Sequence, residues 1–197
     1  MTRIMRDSTS PGDIPTDGTQ LVAGYVNGLY AWDQAGWDRF AGIPCVRIDV
    51  NGTDPSADVL DVELGDATVS DAVAWARQKL RVASEYLPVI YCSRSVVPSL
   101  ESRMSESGLY AGHHYKLWVA TLDGTRELPD MTGVTAVQYA GSLQTGGHYD
   151  ESVIYDASWK AAPKPPAPPP PAPAPVTLVK VTATATFSDG STKSWTV

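Results

Sequence analysis

The chain has 197 residues, of which 43% are hydrophobic and 19% are charged. This length buries one sizeable core with a small appendage rather than two full domains. Lys and Arg number 15 against 22 Asp and Glu, which gives a formal net charge of −7, and no run of five basic residues occurs. We therefore expect no nucleic-acid partner, because binding to a phosphate backbone requires a basic surface.

The apolar runs are only a few residues long, and the N-terminal stretch MTRIMRDSTS has no hydrophobic segment behind its arginines. The sequence therefore predicts no membrane-spanning helix, no membrane partner and no secretory signal peptide. The two cysteines, Cys45 and Cys92, form no CxxC motif and have no His nearby in the sequence. We interpret them as small buried hydrophobic side chains rather than as a metal knuckle or a disulfide scaffold.

Composition divides the chain into three parts. Residues 161–175 contain nine of the 16 prolines, which predicts an extended, semi-rigid Pro-rich linker. Residues 1–160 before it form the main domain, and residues 176–197 after it alternate between β-branched and polar side chains around Asp189-Gly190. Asp-Gly favours a tight turn, so this tail is predicted to be a β-hairpin. A lone hairpin is marginal in water, and we expect the tail to pair with a partner, another copy or the main domain.

Eight short segments rich in Val, Ile and Tyr predict eight β-strands in the main domain. They cover residues 4–7, 21–27, 44–50, 59–64, 88–93, 115–121, 134–139 and 153–156. Helical patterns lie between some of them, at 33–40, 69–82 and 96–105, the second with a capping box at Thr68 and Asp71. Strands that alternate with helices predict an α/β fold with a parallel sheet, here a closed (β/α)8-type TIM barrel. Three connections, before residue 59 and after residues 121 and 139, are too short or too polar for a helix, which predicts an irregular barrel with missing helices.

Alternation along each strand separates the side chains that face the barrel axis from those that face the helices. In the fourth strand the apolar positions are predicted to pack outward, which turns Asp61 and Glu63 inward. The same interpretation of the third strand turns Asp49 inward, and Asp7 and Asp156 end the first and last strands. Because the carboxyl ends of parallel strands form the catalytic face of a barrel, these five acids are predicted to converge on one rim.

A cluster of this composition is suited to cleaving a glycosidic bond. One carboxyl group donates a proton to the leaving oxygen while another supports the positive charge that develops at the anomeric carbon. This chemistry needs no metal and no other cofactor, and we expect none, since hydrolytic metal sites usually recruit histidine and His113, His114 and His148 fall in predicted loops or strand entries. The spacing of Asp61 and Glu63 along one strand leaves retaining and inverting stereochemistry both open.

The order of motifs resembles the glycoside hydrolase family 25 muramidases and, more closely, the glycoside hydrolase-like domains of actinobacteria and their phages. The motifs are Asp7, Asp61-Val62-Glu63, Pro88-Val89-Ile90-Tyr91, Leu117-Trp118-Val119-Ala120, Gln138-Tyr139 and Asp156. The resemblance covers residues 4–158. It implies an irregular barrel and cleavage of the β-1,4 bond between N-acetylmuramic acid and N-acetylglucosamine in peptidoglycan.

The resemblance also implies a role for each candidate residue. Glu63 is expected to be the proton donor, Asp61 to stabilise the acetamido group or the cationic intermediate, and Asp7 and Asp156 to complete an acidic floor. The expected substrate-binding residues are Tyr25, Asp49, Tyr91, Trp118 and Gln138, of which the three aromatic residues are expected to stack on sugars and Gln138 to bond a hydroxyl or acetamido group.

Three functional interpretations follow from the resemblance and the tail. The first is a peptidoglycan hydrolase of a phage, either a lysin or a virion-associated enzyme. The second is a non-catalytic virion or surface protein that binds glycan with the same barrel, and the third is a structural virion component. We expect peptidoglycan or another cell-surface glycan as a partner, and a virion protein or a second copy as a partner of residues 176–197. The predicted location is the virion, or the host cell wall after release from the host cytoplasm.

Overall fold

By its internal contacts the chain divides into two units, residues 1–165 and 166–197. The computed structural model describes residues 2–82, 86–156, 159 and 182–196. The predicted Pro-rich linker at 161–175 lies outside the described residues.

The first unit is a closed eight-stranded barrel, as predicted, in which the strands are hydrogen-bonded in chain order and the last strand returns to the first. Each predicted strand is present. The strands are β1 (Arg3–Asp7), β2 (Leu21–Tyr25), β3 (Cys45–Asp49), β4 (Val59–Asp61), β5 (Val89–Ser93), β6 (Lys116–Ala120), β7 (Val134–Ala140) and β8 (Asp150–Ile154).

The eighth strand runs in the direction opposite to the one predicted. Strands β1 to β7 pair in parallel, but β8 is antiparallel to both of its neighbours, β1 and β7. Only residues 141–149 connect β7 to β8, and a parallel crossover needs a dozen or more residues. The chain therefore turns back at the same end of the barrel. This reversal places the start of β8, rather than its end, beside the carboxyl ends of the other strands.

Helices cover only part of the outside of the barrel. They are α1 (Gln34–Asp38), α2 (Val69–Val82), α3 (Val97–Glu106) and α4 (Ser142–Thr145), with a 3₁₀ turn at Pro11–Asp13. The capping box of α2 is present, since the Thr68 hydroxyl and the Asp71 carboxylate each bond the backbone N–H of the other residue. The connections from β3 to β4 and from β6 to β7 carry no helix, as predicted, but the connection from β7 to β8 contains the short helix α4, where no helix was predicted. Among the described residues, no helix is long and apolar enough to cross a membrane.

The interior of the barrel is apolar apart from one end. Its packed side chains are Met5, Leu21, Ala23, Val46, Ile48, Val50, Val59, Val89, Trp118, Ala136, Ile154 and Trp159. A second apolar cluster lies between the barrel and helices α2 and α3, and it includes Leu60, Val62, Trp75, Ile90 and Cys92. The outward packing predicted for the apolar residues of the fourth strand is therefore confirmed for Leu60 and Val62, and Asp61 lies on the opposite face. It is wrong for Leu64, which lies beyond the end of β4, is exposed and lines the cleft described below.

The inward and outward side chains of strand β3 are exchanged relative to the prediction. Its apolar side chains Val46 and Ile48 fill the barrel, so Arg47 and Asp49 lie on the outer face. The physical reason is the missing helix, because residues 50–58 cover this strand with a polar loop instead of an apolar helix face. The Arg47 guanidinium pairs with the Asp54 carboxylate of that loop at 3.4 Å.

The Asp49 carboxylate organises the polar loop and is fully buried beneath it. It accepts hydrogen bonds from the Asn27 side-chain amide at 2.8 Å and from the backbone N–H groups of Asn51, Gly52 and Asp54 at 2.8, 3.0 and 2.7 Å. All of its bonds are made within the protein. These bonds give Asp49 a structural role, which is to hold the connection between β3 and β4, and Asp49 does not line the acidic cleft described below.

Both cysteines are buried. Cys92 packs among the side chains beneath α2 and α3, on the outer side of the barrel as predicted. Cys45 was expected to face the axis, but because β3 is reversed it packs outside the barrel against Trp37 and Phe40.

The described part of the second unit is a two-stranded antiparallel hairpin of β9 (Thr182–Thr186) and β10 (Thr192–Thr196). Its turn is held by the backbone N–H of Phe187 donating to the Ser191 carbonyl at 2.8 Å, and Gly190 adopts a φ of 83°. A positive φ of this size favours glycine, which accounts for the Asp-Gly sequence. A role of this hairpin in association stays a prediction.

Replacing Asp49 tests the structural role assigned to it. Asp49→Ala leaves three backbone N–H groups and one side-chain amide without their acceptor, so we expect the free energy of unfolding to fall by about 3 kcal/mol. Urea unfolding measures this loss. The exposed Asp17→Ala is the matched control and should change stability by less than about 0.5 kcal/mol. Unchanged stability together with weakened glycan binding in Asp49→Ala would contradict the assignment.

Candidate active site

The functional candidate is a cleft of about 450 Å³ at the barrel end where β1 to β7 finish and β8 begins. It is lined by Asp7, Thr9, Tyr25, Asn27, Gly28, Leu29, Tyr30, Val50, Asn51, Asp61, Glu63, Leu64, Gly65, Asp66, Tyr91 and Asp150. Five of these residues carry carboxyl groups. None of the described residues that line the cleft is Lys, Arg or His, so the acids have no cation in the cleft to neutralise them.

Barrel geometry brings three of the carboxyl groups to the base of the cleft. Asp7 ends β1, Asp61 ends β4, and Asp150 begins β8 directly opposite Asp7 in the antiparallel register. The other two, Glu63 and Asp66, follow β4, where the Asp66 N–H donates to the Glu63 carbonyl at 3.1 Å. Glu63 is half-buried and Asp66 is exposed, so the cluster runs from the floor of the cleft to its rim.

Burial changes the pKa of the two deepest acids, Asp7 and Asp61. Desolvation raises the pKa of Asp7 well above its usual range, and the charges of Asp150 and Glu63 raise it further. Desolvation, followed by the charges of Glu63, Asp66 and Asp7, raises the pKa of Asp61 to about 8. One carboxylate oxygen of each residue, Oδ1, is buried and has no hydrogen-bond partner in the described structure. Asp7 and Asp61 therefore favour the protonated form.

Opposing effects act on the pKa of Glu63. Burial and the charge of Asp66 raise its pKa, a hydrogen bond from the Tyr91 hydroxyl lowers it, and the charge of Asp150 raises it, with a net increase. The pKa of Asp66 is also raised by burial. Glu63 combines a raised pKa with access to the open cleft, which are the two properties that a general acid requires.

Asp150 was missed by the sequence analysis, and Gln138 positions it. The Gln138 side-chain amide donates to the Asp150 carboxylate at 2.7 Å, and Gln138 is buried below the cleft. Burial raises the pKa of Asp150, while bonds from the Ser142 backbone and from Gln138 lower it. Gln138 does not line the cleft, and its side-chain N–H is engaged by Asp150, so the structure gives it a supporting contact instead of the expected sugar contact. Its Oε1 atom has no hydrogen-bond partner among the described residues.

Two of the three expected stacking aromatics line the cleft, namely Tyr25 and Tyr91. Burial and the surrounding carboxylates raise the pKa of both phenols, so both remain neutral hydrogen-bond donors. The third, Trp118, does not form a wall. Its ring is buried in the barrel below Tyr91, with centroids 4.6 Å apart, and its indole N–H donates to the Ser152 hydroxyl at 3.0 Å. Trp118 supports the floor instead.

Asp156 does not belong to the site. Because β8 is antiparallel, the end of this strand lies at the far end of the barrel, where the Asp156 carboxylate forms an ion pair with Lys116 at the start of β6. The eighth strand contributes Asp150 to the cleft instead of the expected Asp156. The sequence contained one signal for it, the alternation of Asp150, Ser152 and Ile154 on one face, but the polar character of residues 150–152 hid the start of the strand.

Other cleft residues also lacked a sequence signal. Asn27, Leu29, Tyr30 and Asn51 lie in loops after β2 and β3, where neither alternation nor helical periodicity applies. Among the described residues, no group of three or more His, Cys, Asp or Glu side chains is arranged to hold a metal ion. The chemistry available to this arrangement is proton transfer and stabilisation of positive charge by carboxyl groups beside neutral phenols.

Comparisons with known proteins give one likeness. No family model and no curated protein matches the chain. Among solved structures, the chain is similar to a family 25 glycosyl hydrolase from Bacillus anthracis, with 15% sequence identity and a TM-score of 0.49 over 78% of this chain and 89% of that chain. That family is the one that the sequence motifs resemble.

The raised pKa of Asp61 has a consequence for stability. A carboxyl group with a pKa of about 8 in the folded protein and about 3.9 unfolded favours folding below pH 4, and this contribution is lost as the pH rises to about 8. Asp61→Asn removes this dependence. We therefore expect the stability of the variant relative to wild type to increase between pH 4 and pH 8, by a change on the order of a few kcal/mol.

Urea unfolding at several pH values measures this difference. The exposed Asp17→Asn is the control for removal of one negative charge and should show little pH dependence relative to wild type. A stability difference for Asp61→Asn that stays flat across the range would show that Asp61 ionises normally.

Proposed function

We propose that the barrel is a glycoside hydrolase that cleaves a glycan by acid catalysis with its own carboxyl groups. The observation that carries the proposal is the pairing of Asp61 and Glu63, two carboxyl groups with raised pKa and different burial, in a cleft whose described lining contains no basic residue. Two carboxyl groups in different environments are the minimum equipment for this reaction.

Glu63 acts as the proton donor. Its side chain is half-buried beside the opening, where a glycosidic oxygen can approach, and its raised pKa lets it hold the proton to a higher pH than an ordinary glutamate does. Transfer of this proton to the leaving oxygen allows the bond between that oxygen and the anomeric carbon to break. Water completes the hydrolysis by adding its hydroxyl group to the anomeric carbon, and its remaining proton passes to a carboxylate of the cleft.

Asp61 stabilises the positive charge that develops as the bond breaks. Its carboxyl group lies deeper than Glu63, and its Oδ1 atom has no partner in the described structure. A pKa near 8 leaves Asp61 largely protonated in the free protein at neutral pH. A positive charge beside the carboxyl group lowers its pKa, so the approach of the cationic transition state favours its ionised form. The Asp61 carboxyl group is also a candidate to orient a substrate N-acetyl group, so a substrate-assisted mechanism stays open.

Peptidoglycan is the proposed substrate, and the bond between N-acetylmuramic acid and N-acetylglucosamine is the proposed point of cleavage. This assignment rests on the order of motifs in the sequence. Six motifs resemble those of the family 25 muramidases, and Asp7, Asp61, Glu63 and Tyr91, which come from three of those motifs, line one cleft. A phage origin and a virion or cell-wall location are part of the same proposal.

Glu63→Gln tests the proton donor. Glutamine keeps the size and the hydrogen bonding of the side chain but has no transferable proton, so we expect cleavage to fall by about 100-fold or more while glycan binding persists. Release of reducing ends from actinobacterial peptidoglycan measures cleavage, and co-sedimentation with the same material measures binding. The exposed Glu127→Gln serves as the control and should cleave like wild type.

The alternative function is non-catalytic glycan binding by the same cleft. If the wild-type protein binds several peptidoglycans but releases no reducing ends between pH 4 and pH 8, the hydrolase proposal is wrong and this alternative replaces it. Full cleavage by Glu63→Gln would instead reject Glu63 as the proton donor.

A pair of variants, at the start of β8 and just beyond its end, tests which of these two acids belongs to the site. Asp150→Asn removes a cleft carboxyl group and should lower the cleavage rate about tenfold or more. Asp156→Asn alters only the far end of the barrel and should leave the rate of the folded protein within about twofold of wild type. Circular dichroism establishes that both variants are folded at the assay temperature. The reverse pattern of activities would contradict the antiparallel direction of β8.

A further inference from the structure

A second groove, of about 370 Å³, continues from the acidic cleft. Thr9, Leu29 and Tyr30 line both the cleft and the groove. The remaining lining residues of the groove are Pro11, Ala31, Trp32 and Asp33. The two cavities therefore adjoin at Thr9 and at the loop that joins β2 to α1, here called the β2–α1 loop (residues 26–33).

This loop is firmly anchored at its base. The backbone N–H of Trp32 donates to the Tyr25 carbonyl at 2.9 Å, and the Trp32 indole N–H donates to the Ser8 carbonyl at 3.2 Å. The indole ring lies directly on Gly24, where an added Cβ would be only 2.5 Å from the ring. The Trp32 side chain thus holds the loop in place, and a residue larger than glycine at position 24 would collide with it.

The tip of the anchored loop exposes two large apolar side chains. Leu29 is 88% exposed and Tyr30 is 54% exposed, although the neighbouring Trp32 is buried. Neither exposed side chain contributes to the packed clusters of the barrel. Exposed apolar groups held on a rigid loop, next to a polar cleft, are typical of a binding surface.

The groove differs from the cleft in charge. Its one carboxylate, Asp33, is already used as the N-cap of α1, where it accepts a hydrogen bond from the Gly36 N–H at 2.8 Å. The five acids next to the groove disfavour an anionic ligand. The ligand that fits is therefore neutral, with one apolar face for the ring of Tyr30 and hydroxyl groups for the solvent side.

A pyranose ring has this character, since its C–H face is apolar and its edge carries hydroxyl groups. We propose that the groove binds a further sugar of the glycan strand, one position along from the bond held over the carboxyl groups, by stacking on Tyr30 with Leu29 at its side. This inference rests on the proposed function and extends it, because it makes the protein select strands long enough to reach the β2–α1 loop.

Substrate length tests the inference. We compare kcat/KM for glycan strands that extend past the cleft with kcat/KM for the shortest strand that is cleaved. Tyr30→Ala should lower this ratio about fivefold to tenfold, because it removes one aromatic contact, and Tyr30→Phe should restore it. The matched control is Tyr110→Ala, since Tyr110 is 53% exposed, nearly the same as Tyr30, but lies outside both cavities.

The outcomes separate the inference from the proposed function. An active wild type with the same ratio in Tyr30→Ala and Tyr110→Ala would overturn the inference and leave the proposed function intact. If the wild type cleaves no strand, the proposed function fails, and calorimetric binding of the longer strands then decides the inference. Weaker binding by Tyr30→Ala than by Tyr110→Ala would support the sugar-binding groove, and equal binding would overturn it.

Discussion

Closure of the barrel by an antiparallel strand brings Asp150 directly opposite Asp7, at the end where Asp61 also lies. All three side chains line the cleft, and Asp7 and Asp61 are buried at its base. No described residue of the cleft lining supplies a compensating positive charge, so burial and mutual repulsion favour the protonated forms of these acids. The raised pKa of Asp7 and of Asp61 follows directly from this arrangement.

The rest of the barrel stabilises a site that is unfavourable for folding. Below the carboxyl groups the interior is filled with apolar side chains, and the one indole N–H of Trp118 finds a buried acceptor in Ser152. Gln138 holds Asp150 from below with a single hydrogen bond from its side-chain amide. Ionised acids crowded in this way lower stability, and sites of this kind persist where function requires them.

Polar loops replace the missing helices on the outside of the barrel, and one of them also shapes the cleft. The loop from β3 to β4 is gathered around the Asp49 carboxylate and carries Asn51 to the cleft lining. The buried Lys79 of α2 donates hydrogen bonds to the carbonyl groups of Pro55 and Ala57 in the same loop. The loop held by the buried Asp49 carboxylate and the buried Lys79 ammonium group thus covers β3 in place of a helix. Neither group is part of the proposed chemistry.

Much of the fold could be predicted from the sequence, because periodicity is a local property. Eight strands, the three longer helical segments and the capping box of α2 all follow from patterns within a few residues of one another. The inward direction of Asp61 was predictable as well, since the apolar residues Leu60 and Val62 on the other face of β4 pack beneath helix α2. The motif order around Asp61 and Glu63 was sufficient to suggest the chemistry.

The direction of β8 and the facing of β3 were decided only in the tertiary structure. Asp150 replaced Asp156 because nine residues cannot carry the chain back along the barrel, and Asp49 turned outward because no helix covers β3. Trp118 and Gln138 similarly became supports of the floor through contacts with Ser152 and Asp150. The sequence by itself determined which residues form each strand and which carry acids, while the partners across the barrel, which lie far apart in the chain, decided which acids meet.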